Sequence, residues 1–203
     1  MEPFQTHKGK TVSIYRSDID TDIIIPQQFL KRIERDGFGR FLMFNWRYDS
    51  KGEAVEDFPL NARKNSDASI LLTGKNFGCG SSRENAVWAL LDYGFKVIIA
   101  PSFANIFKIN SSKNGILLIE LPKETVEKLI QLSNENKGYE LTVDLVKQVL
   151  TDGAGNTIAF SIDPLIRKKL LLGLDDISMV LEYEEEIQRF EERRSFYSSP
   201  VTG

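Results

Sequence analysis

A chain of 203 residues, 41% hydrophobic and 27% charged, with 14 glycines against 7 prolines, has the size and mix of one compact globular domain with room for an extension. Lysine and arginine number 26 and aspartate and glutamate 29, so the formal charge of −3 offers no basic excess to neutralise a nucleic-acid backbone. The longest apolar runs, such as Ile70–Leu72 and Val97–Ala100, fall far short of the roughly 20 residues of a membrane span, and Met1–Phe4 carries no signal-peptide pattern. A soluble, cytoplasmic protein with no nucleic-acid or membrane partner is expected.

In chain order, Thr11–Tyr15 alternates polar and apolar residues as a half-buried strand does, and a polar loop, Ser17–Asp22, follows. Pro26 pushes the residue before it out of the helical region, which predicts an extended path for Ile23–Ile25; Gln27–Ile33 then reads as a short helix. Residues 45–67 are turn-rich, and Phe44, Trp46, Tyr48 and Phe58 predict packing against the same domain or against another chain. Ala68–Thr73 is a buried-strand run, Gly74–Gly80 a loop, and Arg83–Tyr93 a helix with Val87, Leu90 and Leu91 on one face. Strands at Lys96–Ala100 and Gly115–Ile119 flank a short helix at Phe103–Phe107, and a helix over Lys123–Asn134 follows. This strand–helix alternation predicts a largely parallel α/β sheet, with ligand chemistry where strand ends meet helix N-termini. Tyr139–Val143, Lys147–Leu150 and Thr157–Ser161 read as antiparallel strands around a turn at Asp152–Asn156. Asp163–Pro164 opens a helix through Leu172 that Gly173 ends, and a second helix starts near Leu174. The charge-rich stretch 182–203 is expected to be a solvated or partner-contacting tail beside a domain spanning 1–181.

The scarcest residues bound the chemistry. One cysteine, Cys79, and one histidine, His7, exclude an internal disulfide and any zinc cage or cysteine-ligated cluster built by this chain alone. A Cys79–His7 nucleophilic pair needs a base held in place, whereas His7 lies in a polar lead-in expected to be mobile.

The informative stretch is Gly74-Lys75-Asn76-Phe77-Gly78-Cys79-Gly80-Ser81-Ser82-Arg83-Glu84, a glycine-spaced loop between a strand and a helix. Glycines allow positive φ and close backbone approach, and the helix start offers unpaired N–H groups and partial positive charge to an anion such as a carboxylate. Ser81-Ser82-Arg83-Glu84 also fits a capping box, in which Ser81 and Glu84 only satisfy helix-end N–H groups. That leaves Arg83 unexplained, because a cation in the first turn opposes the helix dipole. An ion pair to Glu84 or to the tail is one account; a bidentate grip on a substrate carboxylate is the other. The loop lacks the Gly-Lys-Ser/Thr of a Walker loop and the Gly-x-Ser-x-Gly of a nucleophile elbow, and Cys79 reads as a small residue packed between glycines rather than a reactive thiol.

Asn76–Glu84 with Trp88-Ala89-Leu90 closely resembles the signature of the aconitase-family swivel domain, in the form found in isopropylmalate dehydratase small subunits. Asp20–Pro26, Pro101–Phe107, Lys113-Asn114-Gly115 and Gly173–Ile177 look like further pieces of the same family in the same order, so the resemblance covers nearly the whole chain. It implies a swivelling β/β/α domain, a single compact domain with a C-terminal helical extension, that binds no cofactor itself. It also implies a large-subunit partner carrying a [4Fe-4S] cluster, and a hydroxy-diacid substrate isomerised by dehydration and rehydration in leucine biosynthesis. By the same resemblance Ser81 is the catalytic base, Ser82 and Arg83 bind the substrate carboxylate, and Phe29 and Leu30 stand at the specificity loop, where they shelter an isopropyl group or form an ordinary helix face. Asp20, Thr21 and Asp22 are expected to organise their loop rather than touch substrate. Asn85 departs from the family's usual histidine, and Lys108–Ser112 departs from its usual run. Those departures leave open the same chemistry on 2-methylmalate or homoaconitate; a binding module without catalysis is the reading from another class.

Overall fold

A computed structural model describes residues 1–31, 37–174 and 188–190. Strand β1 runs over Thr6–Ile14, five residues longer at its start than the alternation predicts. Its two halves have different partners. Thr11–Ile14 pairs in parallel with β2 (Ala68–Thr73), while Thr6–Lys10 pairs antiparallel with β5 (Glu140–Asp144), and the register shifts between Lys10 and Thr11. The polar lead-in is therefore an ordered strand, because the backbone groups of Thr6–Lys10 find ladder partners more than a hundred residues away. His7 sits within it, and its Nε2 lies 2.8 Å from Ser69 Oγ.

Two one-turn helices follow, α1 (Thr21–Ile24) and α2 (Phe44–Arg47). Helical geometry over Thr21–Ile24 replaces the extended path expected for Ile23–Ile25: the Asp20 carboxylate caps the turn by accepting from the Ile23 N–H at 2.7 Å, and Pro26 constrains only Ile25 (φ −140°, ψ 107°). In place of a helix over Gln27–Ile33 there is a 3₁₀ turn at Gln27–Phe29; residues 32–36 lie outside the described set. The aromatic residues of the long connection pack within this domain. Trp46 meets Phe58 edge-on at 6.2 Å, Phe44 contacts Phe29 at 4.9 Å and Tyr48 at 4.8 Å, and the Tyr93 hydroxyl donates to the Leu60 carbonyl at 2.7 Å.

After β2 the chain alternates as its pattern predicts: α3 (Glu84–Tyr93), β3 (Val97–Ala100), α4 (Asn105–Asn114), β4 (Leu117–Glu120) and α5 (Lys123–Glu135). Helix α4 is longer and later than the expected Phe103–Phe107; those two aromatic residues anchor its start while Ala104 is its N-cap. Strands β5, β6 (Val149–Asp152) and β7 (Thr157–Ala159) form an antiparallel meander, and α6 (Pro164–Leu172) begins on an Asp163 cap and ends at Gly173. The second helix expected near Leu174 and the tail 182–203 lie outside the described residues, apart from 188–190, which are helical.

The seven strands form one mixed sheet in the order β4-β3-β2-β1-β5-β6-β7, parallel from β4 to β1 and antiparallel beyond. Strand alternation divides the core into two layers. Val12, Leu71 and Ile98 pack with Val87 and Leu90 of α3 and Phe107 of α4 on one face. Ile70, Leu72, Val97 and Ile99 pack with Val126 and Leu129 of α5 and Leu170 of α6 on the other. Because β1, β2 and β3 run in the same direction, their C-terminal ends lie along one edge, and the loops leaving those ends meet there.

Candidate active site

The glycine loop is stitched on both sides at that edge. Toward β1, the Asp18 N–H donates to Lys75 O at 2.9 Å, the Gly78 N–H to Ile19 O at 2.8 Å and the Thr21 N–H to Cys79 O at 2.9 Å, while the Asn76 side-chain amide donates to Asp18 Oδ1 at 2.7 Å. Toward β3, the Asn76 N–H donates to Ser102 Oγ at 2.9 Å and the Ala104 N–H to Phe77 O at 3.1 Å. Three separate sequence segments, Asp18–Asp22, Lys75–Arg83 and Ser102–Ala104, are thereby locked into one unit.

Phe77 is buried beneath the loop, edge-on to Phe107 at 5.3 Å. Gly78 passes directly over that ring with φ +75°, and a β-carbon there would stand 2.2 Å from Phe107 Cγ. Gly78→Ala is expected to destabilise the chain by about 2–4 kcal/mol, adding left-handed backbone strain to an overpacked ring. A denaturant-unfolding midpoint within error of the unsubstituted protein's would contradict this packing.

Beyond Gly80 (φ +88°) the chain enters α3 later than a capping box requires. Arg83, not Ser81, is the N-cap residue, with no side-chain cap, and Glu84 is the first helical residue. Glu84 does not reach back to Ser81. Its Oε1 accepts from Asn114 Nδ2 at 2.7 Å, and Asn114 Oδ1 in turn accepts from Trp88 Nε1 at 3.1 Å. The capping-box expectation is thus corrected: Asn114 at the end of α4 claims the Glu84 carboxylate. Among the described residues the N–H groups of Glu84 and Asn85 have no acceptor, and the positive end of a ten-residue helix is open at the surface.

Around this opening stand Ser81, Ser82 and Arg83. Both serines are exposed, and their hydroxyls make no hydrogen bond among the described residues. The Ser81 carbonyl accepts from Oγ1 of the buried Thr21 at 3.0 Å, which fixes the backbone and leaves the Ser81 hydroxyl unengaged. The Arg83 side chain is only 16% exposed, and its Nη1 donates to Asp22 Oδ1. The ion pair that sequence reasoning sought with Glu84 or the tail is made instead with a residue 61 positions upstream; local sequence carries no signal for it. Asp20 caps α1, as a loop-organising residue does. Phe29 and Leu30 are half-buried against the α3 side of the core, and the Phe29 ring stacks on Phe41 at 4.1 Å.

Cys79 is bridged to Asp20 in the stitched loop. Burial pushes its thiol up from the ordinary value, and the Asp20 and Asp18 carboxylates push the same way, which disfavours the thiolate. His7 belongs to the start of β1, at the opposite end of the parallel ladder, so the Cys79–His7 pair does not form. An iron–sulfur cluster does not fit this chain by itself: it has one cysteine, and no group of three or more histidine, cysteine, aspartate or glutamate side chains among the described residues is arranged to hold a metal ion.

Residues 1–124 match the aconitase C-terminal domain and residues 127–164 match LeuD_N. The chain is 56% identical to the 3-isopropylmalate dehydratase small subunit of Bacillus pumilus, over 96% of this chain and 98% of that one. It is 52% identical to that of Bacillus subtilis over the same shares, and 53% identical to that of Rhodopirellula baltica over 96% of this chain and all of its relative. Among solved structures it resembles 3-isopropylmalate dehydratase (LeuD) from Methanocaldococcus jannaschii, with a TM-score of 0.63 and 26% identity over 92% of this chain and 99% of that one. With identity above one half along nearly its whole length, and with the glycine loop seated at the sheet edge, the chain belongs to the 3-isopropylmalate dehydratase small-subunit family of aconitase C-terminal domains.

Proposed function

We propose that this chain is the half of a hydro-lyase that handles the proton and the carboxylate in the interconversion of 2-isopropylmalate and 3-isopropylmalate, a cytoplasmic step of leucine biosynthesis. The observation that carries this reading is the pair of exposed serines, Ser81 and Ser82, beside the partly buried Arg83 at the uncapped N-terminus of α3. The reaction removes the C2 hydroxyl and a C3 proton to give isopropylmaleate, then returns water with the hydroxyl on C3 and the proton on C2. Ser81 takes and returns the proton. A serine oxygen is a usable base only where its anion is stabilised, and the free N–H groups of Glu84 and Asn85, the helix dipole and the Arg83 guanidinium supply that field. Ser82 and Arg83 hold the carboxylate next to the acidic carbon; charge grows on that carboxylate as the proton leaves, so these contacts strengthen toward the transition state. In this reading Phe29 and Leu30 shelter the isopropyl group.

Hydroxide departure calls for a Lewis acid; a [4Fe-4S] cluster on a separate large subunit would supply it. The exposure of both serine hydroxyls supports that division, because a proton-transfer site left open to water is closed only by a docked surface. The test is reconstitution with a large subunit, followed by comparison of 2-isopropylmalate, 2-methylmalate and homoaconitate as substrates. The highest kcat/KM is expected for 2-isopropylmalate; equal or better use of 2-methylmalate would overturn the substrate assignment.

A further inference from the structure

We infer that Asp22 is a positioning residue for the carboxylate grip: by binding one terminal nitrogen of Arg83 it holds the guanidinium so that its other edge is presented to substrate. The inference rests on the reading of Arg83 as the carboxylate-binding residue. Arg83 Nη1 donates to Asp22 Oδ1, whereas Arg83 Nε and Nη2 have no acceptor among the described residues. Nε and Nη2 together form the fork that matches the two oxygens of a carboxylate. Tethering at Nη1 leaves that fork whole.

A long side chain with several rotatable bonds loses conformational freedom when it grips a ligand. An Arg83 already fixed by Asp22 has met part of that cost before substrate arrives, which is how preorganisation tightens binding. Among the described residues the Asp22 side chain bonds to Arg83 alone. Asp20 caps α1, and Thr21 makes the bonds to the Cys79 and Ser81 carbonyls, so the loop keeps its stitches when Asp22 is replaced. The Asp22 side chain is 51% exposed against 16% for Arg83, which fits a carboxylate anchored at the rim holding a guanidinium below it.

The reconstituted enzyme is assayed with Asp22→Ala and Asp22→Asn, alone and combined with Arg83→Ala. Asp22→Ala is expected to raise KM for 2-isopropylmalate about ten- to a hundredfold with kcat changed less than about fivefold, and Asp22→Asn, which keeps an acceptor oxygen, to raise KM less. On the Arg83→Ala background the Asp22→Ala step is expected to change kcat/KM less than about twofold, since the two side chains act as one unit. A KM within twofold of the unsubstituted enzyme overturns the inference. So does a lower KM, the sign for an aspartate that competes with substrate for Arg83, and so does an undiminished Asp22 effect without Arg83. Where Arg83→Ala is severe and Asp22→Ala is silent, only the positioning role falls; where Arg83→Ala keeps full kcat/KM, the carboxylate grip falls with it. If Asp22→Ala does not fold, the Asp22→Asn rise in KM decides.

Discussion

Replacing Ser81 by alanine is expected to lower kcat of the reconstituted enzyme by about 10²–10⁴, the range that a positioned general base contributes, while the unfolding free energy moves by no more than about 0.5 kcal/mol. The two readouts separate because of where Ser81 sits. Its hydroxyl makes no hydrogen bond among the described residues, and its carbonyl, which a substitution to alanine keeps, carries the contact to Thr21. Had Ser81 capped α3, its loss would cost about 0.5–2 kcal/mol; with Arg83 in the cap position that cost is absent. Activity thus tests the chemistry with the fold held constant. A kcat within tenfold of the unsubstituted enzyme would remove Ser81 from the role of base and leave the open helix end as a binding feature alone.

Arg83→Ala is expected to reduce kcat/KM by about 10²–10³, corresponding to the roughly 2–4 kcal/mol that a charge-assisted, substrate-facing hydrogen-bond pair contributes in a desolvated site. Arg83→Lys is expected to recover only part of this, since an ammonium keeps the charge and loses the planar fork. The fold is expected to tolerate both changes: the partner left behind, Asp22, is half exposed and regains water, and an ion pair of that kind contributes about 0.2–1 kcal/mol. Stability measured by denaturant unfolding therefore stays near that of the unsubstituted chain while catalysis falls. Retained kcat/KM in Arg83→Ala would show that the carboxylate is held elsewhere.

The location of these residues agrees with the proposal that the chain is half of a centre. The sheet places three parallel strand ends at one edge, and the loops that leave them are bonded to one another, so the platform beneath Ser81–Arg83 is rigid. The hydroxyls above it face solvent. A rigid platform with an open top suits a domain whose second wall arrives with another subunit, and it keeps the pre-set geometry that proton transfer requires.

The buried strands Ala68–Thr73 and Val97–Ala100, the helices at residues 84–93 and 123–135, and the Asp163–Pro164 start with its Gly173 end were legible from residue order alone. Each depends on side-chain periodicity or on a cap a few residues away, so the signal and the structure are both local. The glycine-spaced junction before α3 was legible for the same reason. What the tertiary structure decided is everything that needs a distant partner. The β1 extension exists because β5 pairs with it, the Thr21–Ile24 turn stands where the loop after β2 meets the loop after β1, Glu84 turns to Asn114 instead of capping its own helix, and Arg83 meets Asp22. Residue order specified which chemical groups the candidate site has; strand order brought the loops together and thereby decided which of those groups are engaged within the protein and which have no partner among the described residues.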